Sequence, residues 1–563
     1  MPGLFGFATL SPGADLPAPE RLSALERMRA AVTHRDYTVA DPPFCDARVC
    51  AGRVDTRLFQ SEAQPHVAGD VRVWIDGEIY DERPAGVSDA ALLAARYRDD
   101  PSFTFLREVD GFFTAVLYDA AAQEVHLVSD RCGFRHLFHA AHGGRLWWGT
   151  ELKAVRELPG FEARIDPVSV EDYFAHGFFT GDRTWFAGVE LVPYGTVLSF
   201  PLGGGPPRHR RYWDWSDLGN VPVPRDRREL VAEWARLFVA AVARRCRSGR
   251  VGVMLSGGLD SRAILAAIPD SISPLHAVTF GQRGSLDVSI ARRAAAARGA
   301  AHHVQELGER DWLAPRFEGV WWSDGQLNLI DTHGIGGYEE RREWFDINMS
   351  GFAGDLTMGG SYLRKGYDDD FGVLRSRVRR QTAIGIKMQT SYFENRLPFF
   401  DNALLEFTYA IPPRLRAKDH IYADMLLARF PRYFRAIPWQ ETGVPVTWPL
   451  PLAYAVKRVG AGLERALAPL GGLGVRFGRR SYSDYDAWFR RDPARSALAA
   501  IVLNKDALYP EFVPAERVRG LWQSHQRGEH LARPVGLYAT FEIWLQQVMN
   551  GRLRAAPAEA VTT

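Results

Sequence analysis

The sequence predicts a β-rich, layered first domain, then an α/β domain with a doubly wound parallel sheet, and finally a mostly helical C-terminal part. Short strand-like runs separated by Gly and Asp turns fill residues 1–205, a pattern typical of packed sheets. From residue 227 onward, strand and helix patterns alternate, which indicates a parallel sheet. Beyond residue 400 the apolar spacing becomes mostly helical.

Composition narrows the class of protein. The 563 residues carry 69 Lys and Arg against 67 Asp and Glu, so the near-neutral balance argues against a nucleic-acid-binding surface. The chain shows no signal-peptide pattern and no apolar run approaching 18 residues, so we expect no membrane span and a cytoplasmic location. The four cysteines are predicted to be free buried thiols, without a zinc site.

In the first domain, apolar runs separated by turn residues predict strands over 71–75, 112–118, 125–128 and 146–148. Helical spacing predicts helices over 19–33 and 88–98. A Gly- and Pro-rich run at 201–207 favours a domain boundary, so we predict that the first domain ends at 205 and that a linker covers 206–226.

In the second domain, the pattern predicts a helix over 227–247, a buried strand over 251–255 and a helix over 261–268, followed by a strand over 275–280 and a helix over 288–299. We place this domain at 227–450, its helical extension at 451–555 and a frayed tail at 556–563.

The octet from Leu255 to Arg262 connects the first strand of this domain to its first helix. Two glycines at 257 and 258 let backbone N–H groups approach an anion, and the helix that follows presents its positive end. No lysine follows the glycines, so this is not a Walker loop. A carboxylate at Asp260 beside phosphates requires a bridging Mg²⁺ ion, and Asp355 after a second short strand supplies a second carboxylate.

A third segment, Glu394–Asp401, follows these two in order. The three segments resemble the SGGxDS, SGxGxDExxxGY and ExRxPFLD motifs of the asparagine synthetase family, which includes β-lactam synthetase and the lasso-peptide cyclases. The resemblance extends to the first domain through four further segments: Trp74–Asp81, Asp130–Phe138, Glu151–Ala154 and Thr184–Gly195.

The resemblance implies a fold and a reaction. The first domain would be an N-terminal-nucleophile-hydrolase-like αββα sandwich, and the second an ATP pyrophosphatase domain that converts ATP to AMP and pyrophosphate with Mg²⁺. Asp260 and Asp355 would bind the metal and act in catalysis. Glu394 would position or deprotonate an amine, unless it instead forms an ion pair with Arg396 or Arg416. The implied ATP- and pyrophosphate-binding residues are Leu255, Ser256, Gly257, Gly258, Leu259, Asp260, Ser261, Val278, Thr279, Phe280, Gly354 and Lys418.

Two departures from the family concern glutamine hydrolysis. Members that use glutamine have Cys directly after the first Met, whereas this chain has Pro2. Pro2 offers no thiolate nucleophile, and Asp76 stands where the family has an Asn donor for the oxyanion. These departures predict an inactive glutaminase domain.

Without glutamine, the amine must come from elsewhere, and an amine within the substrate gains effective concentration. The positions of the β-lactam synthetase Tyr and Lys fall at Phe352 and Glu441, so only Glu394 of that set is retained. This favours an enzyme of the lasso-cyclase type, which closes a peptide macrolactam. The alternatives are amidation or cyclisation of a small molecule with ammonia or an internal amine, and a non-catalytic scaffold.

The partners follow from these alternatives. We expect a small molecule or a precursor peptide as substrate and, for a lasso cyclase, an accessory peptide-binding protein and a leader protease. No nucleic-acid or membrane partner is expected, and homodimers are common in the family. Aromatic stretches suit either a peptide groove or the core; they are Trp321–Trp322, Tyr362–Lys365, Trp439 and Trp448.

Overall fold

The computed structural model describes residues 2–59, 62–367, 369–417, 420–467 and 481–554. The first part of the chain forms two antiparallel sheets. Its strands are β1 (Gly3–Thr9), β2 (Val39–Ala40), β3 (Phe44–Cys45), β4 (Val49–Asp55), β5 (His66–Ala68), β6 (Val71–Ile79), β7 (Gly111–Asp119), β8 (Glu124–Ser129), β9 (Phe138–His142), β10 (Arg145–Gly149), β11 (Glu190–Leu191), β12 (Thr196–Pro201) and β13 (Arg208–Arg211). Its helices are α1 (Ala18–Val32), α2 (Asp89–Asp99) and α3 (Pro167–His176).

The two sheets of this domain pack face to face. The first has the order β11-β9-β10-β1-β4-β2, with β3 beside β4, and the second has the order β13-β12-β8-β7-β6-β5. Alternating apolar residues such as Leu4, Trp74, Val116 and Leu127 fill the space between them. Helix α1 lies on the first sheet and α2 on the second, which gives four layers in the order helix, sheet, sheet, helix.

The sequence prediction of a linker over 206–226 is wrong in its first part. The Gly- and Pro-rich run is the turn of a hairpin, because β13 pairs with β12 in the second sheet. Trp213 and Trp215, which follow β13, are buried in the core. A hairpin turn and a linker use the same residue types, so composition did not distinguish them.

The second part of the chain holds a five-stranded parallel sheet and most of the helices. The strands are β14 (Val251–Met254), β15 (His276–Gly281), β16 (Ala301–Glu306), β17 (Ile347–Met349) and β18 (Glu394–Arg396). The helices are α4 (Arg227–Arg245), α5 (Asp260–Ala267), α6 (Leu286–Arg298), α7 (Ala314–Trp322), α8 (Tyr338–Arg341), α9 (Gly354–Thr357), α10 (Phe371–Val373), α11 (Ala383–Gln389), α12 (Asn402–Ala410), α13 (Pro413–Ala417), α14 (Ile421–Arg429), α15 (Pro431–Phe434), α16 (Leu450–Leu467), α17 (Tyr485–Trp488), α18 (Ala494–Val502), α19 (Ala515–Gln526) and α20 (Ala532–Met549).

The described residues also contain shorter helical segments. A π-helical segment, Leu374–Thr382, leads into α11. The 3₁₀ turns are Thr104–Arg107, Leu152–Glu157, Trp215–Asp217, Leu329–Asp331, Ile335–Gly337, Leu363–Lys365, Pro398–Phe400 and Tyr509–Glu511.

The parallel sheet has the order β16-β15-β14-β17-β18. The chain therefore winds outward in one direction from β14 to β16 and in the other from β17 to β18. The point of reversal lies beside β14, and ligands of such sheets bind there, at the carboxyl ends of the strands. The two-domain architecture and the parallel sheet of the second domain are confirmed.

The C-terminal helices pack against the first domain. Trp185 of that domain stacks on Phe541 and Trp544 of α20, with ring centroids 4.9 and 4.8 Å apart. These rings belong to one large core that both domains share. The predicted tail over 556–563 lies outside the described residues.

The prediction of four free thiols is wrong for two of them. Strands β3 and β4 place Cys45 opposite Cys50, and the two form a disulfide. Cys132 and Cys246 are free and buried. Among the described residues, no helix is both long enough and apolar enough to cross a membrane.

Candidate functional site

The loop after β14 is held by its own serine hydroxyls. The backbone N–H of Ser256 donates to the Ser261 hydroxyl oxygen at 3.0 Å, and the two hydroxyl oxygens are also 3.0 Å apart. The N–H of Gly258 donates to the Ser256 hydroxyl at 3.2 Å. The loop thus forms a tight bend at the start of α5, where backbone donors and the helix end favour an anion.

Two residues outside the loop fix its outer side. Asp287, at the start of α6, accepts the N–H of Gly257 at 3.0 Å. The buried guanidinium of Arg262 donates to the carbonyl oxygens of Gly257 and Pro438, both at 2.8 Å. Burial lowers the pKa of Arg262 to about 10, so the group stays charged at neutral pH. Arg262 thereby holds the segment around Pro438 against the loop.

Asp260 and Asp355 lie together, as predicted. The backbone N–H of Asp355 donates to Asp260 Oδ2 at 2.7 Å, and the Tyr422 hydroxyl donates to Asp260 Oδ1 at 3.0 Å. A Cβ on Gly354 would lie 2.8 Å from Asp260 Cγ, so glycine is needed for this close approach. Burial, and then the nearby Asp355 carboxylate, raise the pKa of Asp260 to about 8.

This pair of acids fits a magnesium ion. Carboxylate oxygens are hard donors, and Mg²⁺ in nucleotide sites uses one or two carboxylates together with phosphate oxygens and water. Burial and the neighbouring Asp355 carboxylate disfavour a negative charge on Asp260 and so raise its pKa, and a bound metal ion would favour that charge. Within the described part of the chain, no group of three His, Cys, Asp or Glu side chains could hold a metal by itself.

Asp260 and Asp355 open into a cavity of about 670 Å³. The cavity is also lined by residues that the motifs did not predict, namely Arg364, Lys365, His420, Tyr422, Gln440, Glu441 and Tyr454. Gln440 closes one side, because its amide donates to Asp287 Oδ2 at 2.9 Å. Arg364 and Lys365 belong to the stretch Tyr362–Lys365 that the sequence offered as a groove or core segment, and Glu441 is the position matched by motif to the lysine of β-lactam synthetase.

The predicted residues on β15 lie at the same edge of the sheet. The N–H of Leu255 donates to the Val278 carbonyl at 2.8 Å, and the Thr279 hydroxyl donates to the Leu255 carbonyl at 2.7 Å. Phe280 lines a second cavity of about 410 Å³. The buried Arg341 guanidinium also lines it and lies 5.7 Å from the centre of the Phe280 ring.

Glu394 does not lie at this site. Its position therefore does not support the predicted catalytic role. Register pairs Glu394 with Ile347 and Ile347 with Val251, the first residue of β14. Leu255 lies four positions beyond Val251, about 13 Å at roughly 3.3 Å per residue. Glu394 therefore lies at the amino end of the sheet, where it pairs with Arg135 rather than with Arg396 or Arg416.

Glu394 instead lines a cavity that belongs to the first domain. This cavity measures about 30 Å³ and is also lined by Pro2, Arg53, Asp76 and Arg135. Its described lining contains no cysteine. Asp76 Oδ2 is buried without a hydrogen-bond partner, and the Arg135 guanidinium lies 3.7 Å from the other carboxylate oxygen.

The aromatic stretches divide between the core and the site. Trp322 is a core residue, whereas Trp439 lines the cavity with Asp260. Trp448 is 45% exposed. Phe352 packs between Phe134 and Phe400, at 5.5 and 5.6 Å between ring centroids. Lys418 lies outside the described residues.

Comparisons with known proteins agree with this division of the chain. Residues 1–213 match the glutamine amidotransferase domain family, and residues 233–384 match the asparagine synthase family. The two matches, in this order, define an amidotransferase-type domain joined to a domain of the asparagine synthase type. The chain belongs to the asparagine synthetase family.

The similar curated proteins are distant. Over 340 residues the chain is 26% identical to putative asparagine synthetase [glutamine-hydrolyzing] 2 of Methanocaldococcus jannaschii, covering 57% of this chain and 64% of the relative. It is 26% identical to amidase chyE of Penicillium rubens, covering 50% and 45%, and 25% identical to asparagine synthetase [glutamine-hydrolyzing] of Gallus gallus, covering 55% and 57%. Each match covers less than two thirds of the relative's own length.

A solved structure titled as the allosteric regulatory enzyme of purine biosynthesis is similar over 54% of this chain and 80% of that chain. Its TM-score is 0.27 at 13% sequence identity, and a similarity this weak carries no functional information.

Proposed function

We propose that this protein is an ATP-dependent ligase that adenylates a substrate carboxylate and then forms an amide with an amine. The observation that carries the proposal is the contact between Asp260 and the Asp355 backbone at the point where the sheet order reverses. Two acids that follow the adjacent strands β14 and β17, beside an anion-binding bend, suit a metal-bound triphosphate. The family to which the chain belongs supports ATP-dependent amide formation in general.

In this proposal the triphosphate of ATP lies along the bend from Ser256 to Ser261. Asp260 and Asp355 hold Mg²⁺, which neutralises phosphate charge when it is bound. The adenosine lies along the ends of β14 and β15, and the cavity beside Phe280 offers an aromatic face for its base. Tyr422 keeps the Asp260 carboxylate oriented toward the cavity through its hydrogen bond.

The chemistry proceeds in two steps. A carboxylate oxygen of the substrate attacks the α-phosphorus, the bond to the β-phosphate oxygen breaks, and pyrophosphate leaves with the electron pair. The amine then attacks the acyl carbon of the resulting acyl-adenylate, and AMP leaves while the amine loses a proton. We assign no part of this proton transfer to Glu394, because Glu394 lies at the other end of the sheet.

We further propose that glutamine is not the source of the amine. The cavity beside Pro2 is small, about 30 Å³, and is lined by the charged side chains of Arg53, Asp76, Arg135 and Glu394. Its lining offers no thiol among the described residues, and Asp76 would repel a developing oxyanion. An amine within the substrate avoids the need for ammonia and gains effective concentration.

These points favour a substrate that carries both reacting groups, and we propose a peptide that is closed into a macrolactam. The cavity beside Asp260 is open, measures about 670 Å³ and has aromatic walls at Trp439 and Tyr454, which suits a chain with apolar side chains. Phe352 lies in an aromatic cluster and Glu441 carries a negative charge, so neither can act as the Tyr or Lys of a β-lactam synthetase.

The test incubates the purified protein with Mg²⁺, ATP and candidate peptides, with or without added ammonium. We expect AMP and pyrophosphate in equal amounts and a peptide product lighter by one water in mass spectrometry. Asp260→Asn should abolish both products. Release of ADP and phosphate, or AMP formation that no peptide or amine stimulates, would contradict the proposal. Incorporation of ammonium into the product would instead indicate an intermolecular amidation.

A further inference from the structure

Two cations line the same cavity as Asp260 and Asp355. Arg364 and Lys365 lie in the 3₁₀ turn Leu363–Lys365, and both line the cavity. The Arg364 guanidinium donates to the carbonyl oxygen of Gly359, which fixes its direction. Within the described part of the chain, neither cation forms an ion pair with a carboxylate at 4.0 Å or less, and the Lys365 ammonium lies 4.4 Å from the centre of the Tyr362 ring.

The part of the cavity wall at Glu441 carries no net positive charge. Glu441 lines the cavity, and its carboxylate lies 2.6 Å from the ammonium of Lys457 on helix α16. Both side chains of this pair are nearly half exposed. The resemblance to β-lactam synthetase implies that its lysine corresponds to Glu441, so this chain lacks a cation there, and Lys457 is already paired with Glu441.

The negative charge on pyrophosphate increases as it leaves. Cations beside it therefore stabilise the leaving group more strongly than they stabilise bound ATP. When the bond between the α-phosphorus and the bridging oxygen breaks, the electron pair moves to pyrophosphate, and its charge increases. A magnesium ion between two carboxylates offsets only part of this charge. Guanidinium and ammonium groups with free donors are suited to the remaining phosphate oxygens.

We propose that Arg364 and Lys365 bind the β- and γ-phosphates of ATP and stabilise the leaving pyrophosphate, and that they replace the cation lost at Glu441. This inference rests on the proposed function, since it assigns the leaving group of the adenylation step. The turn at Gly359 and Gly360 brings both cations to the cavity wall, and Gly360 has a left-handed φ of 59°.

The test measures binding of Mg²⁺-pyrophosphate and of Mg²⁺ with a non-hydrolysable α,β-methylene ATP by calorimetry. Arg364→Gln and Lys365→Gln should each weaken pyrophosphate binding by about tenfold, and the double variant by about a hundredfold. Lys365→Arg should retain most of the affinity. Lys505→Gln, which removes an exposed lysine from the C-terminal helical region, is the matched control and should bind like the wild type.

A rescue experiment makes the test more specific. Glu441→Lys in the double-variant background places a cation at the family position and releases Lys457, so it should recover about tenfold of the lost affinity. Unchanged melting temperatures show that the variants remain folded. The inference is wrong if the double variant binds pyrophosphate within about twofold of wild type, or if Lys505→Gln weakens binding equally.

The same titrations separate this inference from the proposed function. If the wild-type protein binds neither ligand, the proposed nucleotide site itself is wrong. If the wild type and the double variant bind both ligands equally, the nucleotide site stands and only the assignment of Arg364 and Lys365 fails. If the double variant loses pyrophosphate binding but keeps the magnesium dependence of nucleotide binding, both assignments are supported.

Discussion

The Arg135 guanidinium donates a hydrogen bond to the Glu394 carboxylate across the boundary between the two domains. Both side chains are largely buried, and Asp76 lies 3.7 Å from Arg135 on the other side. Burial raises the pKa of Glu394 to about 7, although Arg135 opposes this effect. One arginine thus neutralises two carboxylates that meet where the first domain packs against the amino end of the parallel sheet.

This arrangement predicts a large cost for removing the arginine alone. Arg135→Met leaves Glu394 and Asp76 as buried charges without their cation, which should lower the free energy of unfolding by about 3–5 kcal/mol. The double variant Arg135→Met and Glu394→Gln also lacks one of the two unpaired carboxylates. It should therefore recover a substantial part of the lost free energy of unfolding. Urea unfolding of the wild type and of the three variants measures this coupling as a double-mutant cycle.

An exposed ion pair provides the control for that cycle. Arg519 and Glu516 lie one turn apart on α19 at 3.2 Å, with both side chains more than half exposed. The corresponding cycle with Arg519→Met and Glu516→Gln should give a coupling below about 1 kcal/mol. Equal couplings at the two sites would show that the buried pair does not hold the domains together.

The sequence did not predict the end of the sheet at which Glu394 lies. The loop at Ser256–Ser261 and the pair Asp260 and Asp355 were predictable, because glycines and acids at strand ends identify a site without further information. Glu394 lies in a short strand, and a motif does not state which end of that strand meets the nucleotide. That depends on register with β17, which is a long-range property.

The fold was predictable to a similar extent. Alternating strand and helix patterns identified the parallel sheet, since its buried strands are continuous apolar runs. The hairpin turn before Arg208 and the disulfide between Cys45 and Cys50 were missed, because both depend on pairing between strands rather than on local composition. Tyr422 was missed for the same reason, as its contact with Asp260 joins residues 162 positions apart.

We expect the charge of Asp260 to lower the stability of the ligand-free protein and to favour metal binding. Its partly buried carboxylate lies next to that of Asp355, so without a bound cation its charge destabilises the folded protein. Asp260→Asn should therefore raise the melting temperature of the ligand-free protein while weakening Mg²⁺-ATP binding by about tenfold or more. Calorimetric titration and thermal melting of the same preparation test both parts.

The Asp260→Asn side chain keeps one acceptor oxygen, so it retains only one of the two hydrogen bonds that the carboxylate accepts from the Tyr422 hydroxyl and the Asp355 N–H. Tyr422→Phe is the matched control, since it removes one of these hydrogen bonds but leaves both carboxylates. It should bind Mg²⁺-ATP more tightly than Asp260→Asn does. If Asp260→Asn bound Mg²⁺-ATP like the wild type, the metal assignment would fail.

We predict that a thiol and an amide donor introduced beside the cavity at Pro2 are not enough to restore glutamine hydrolysis. The double variant Pro2→Cys and Asp76→Asn supplies a thiol and an amide donor, yet the ion pair of Arg135 and Glu394 still lines this small cavity. We expect no glutamate production above buffer controls from either the wild type or this variant, measured by coupled glutamate assay. Hydrolysis by the variant alone would show that the cavity opens, and hydrolysis by the wild type would contradict the proposed function.

Lys387 makes stability depend on pH in a defined direction. Its ammonium is buried at the domain boundary and donates to the carbonyl oxygens of Thr150 and His136. Burial lowers its pKa from 10.5 to about 8, although the acids Asp76, Glu151 and Asp324 oppose this effect. The folded protein therefore bears the full cost of the buried charge below pH 8, and this cost disappears as the pH rises toward 10.5, where the unfolded chain also loses the proton.

Lys387→Met removes that titration. Relative to this variant, the wild type should gain stability between pH 8 and 10.5, by at most about 3 kcal/mol at 1.36 kcal/mol per pKa unit. Urea unfolding of both proteins at pH 7, 8, 9 and 10 measures the difference, and Lys505→Met, at an exposed lysine, should show no such slope. A difference between wild type and Lys387→Met that stays constant over this range would mean that Lys387 titrates alike in the folded and unfolded chains. Its burial against the first domain would then carry no electrostatic cost.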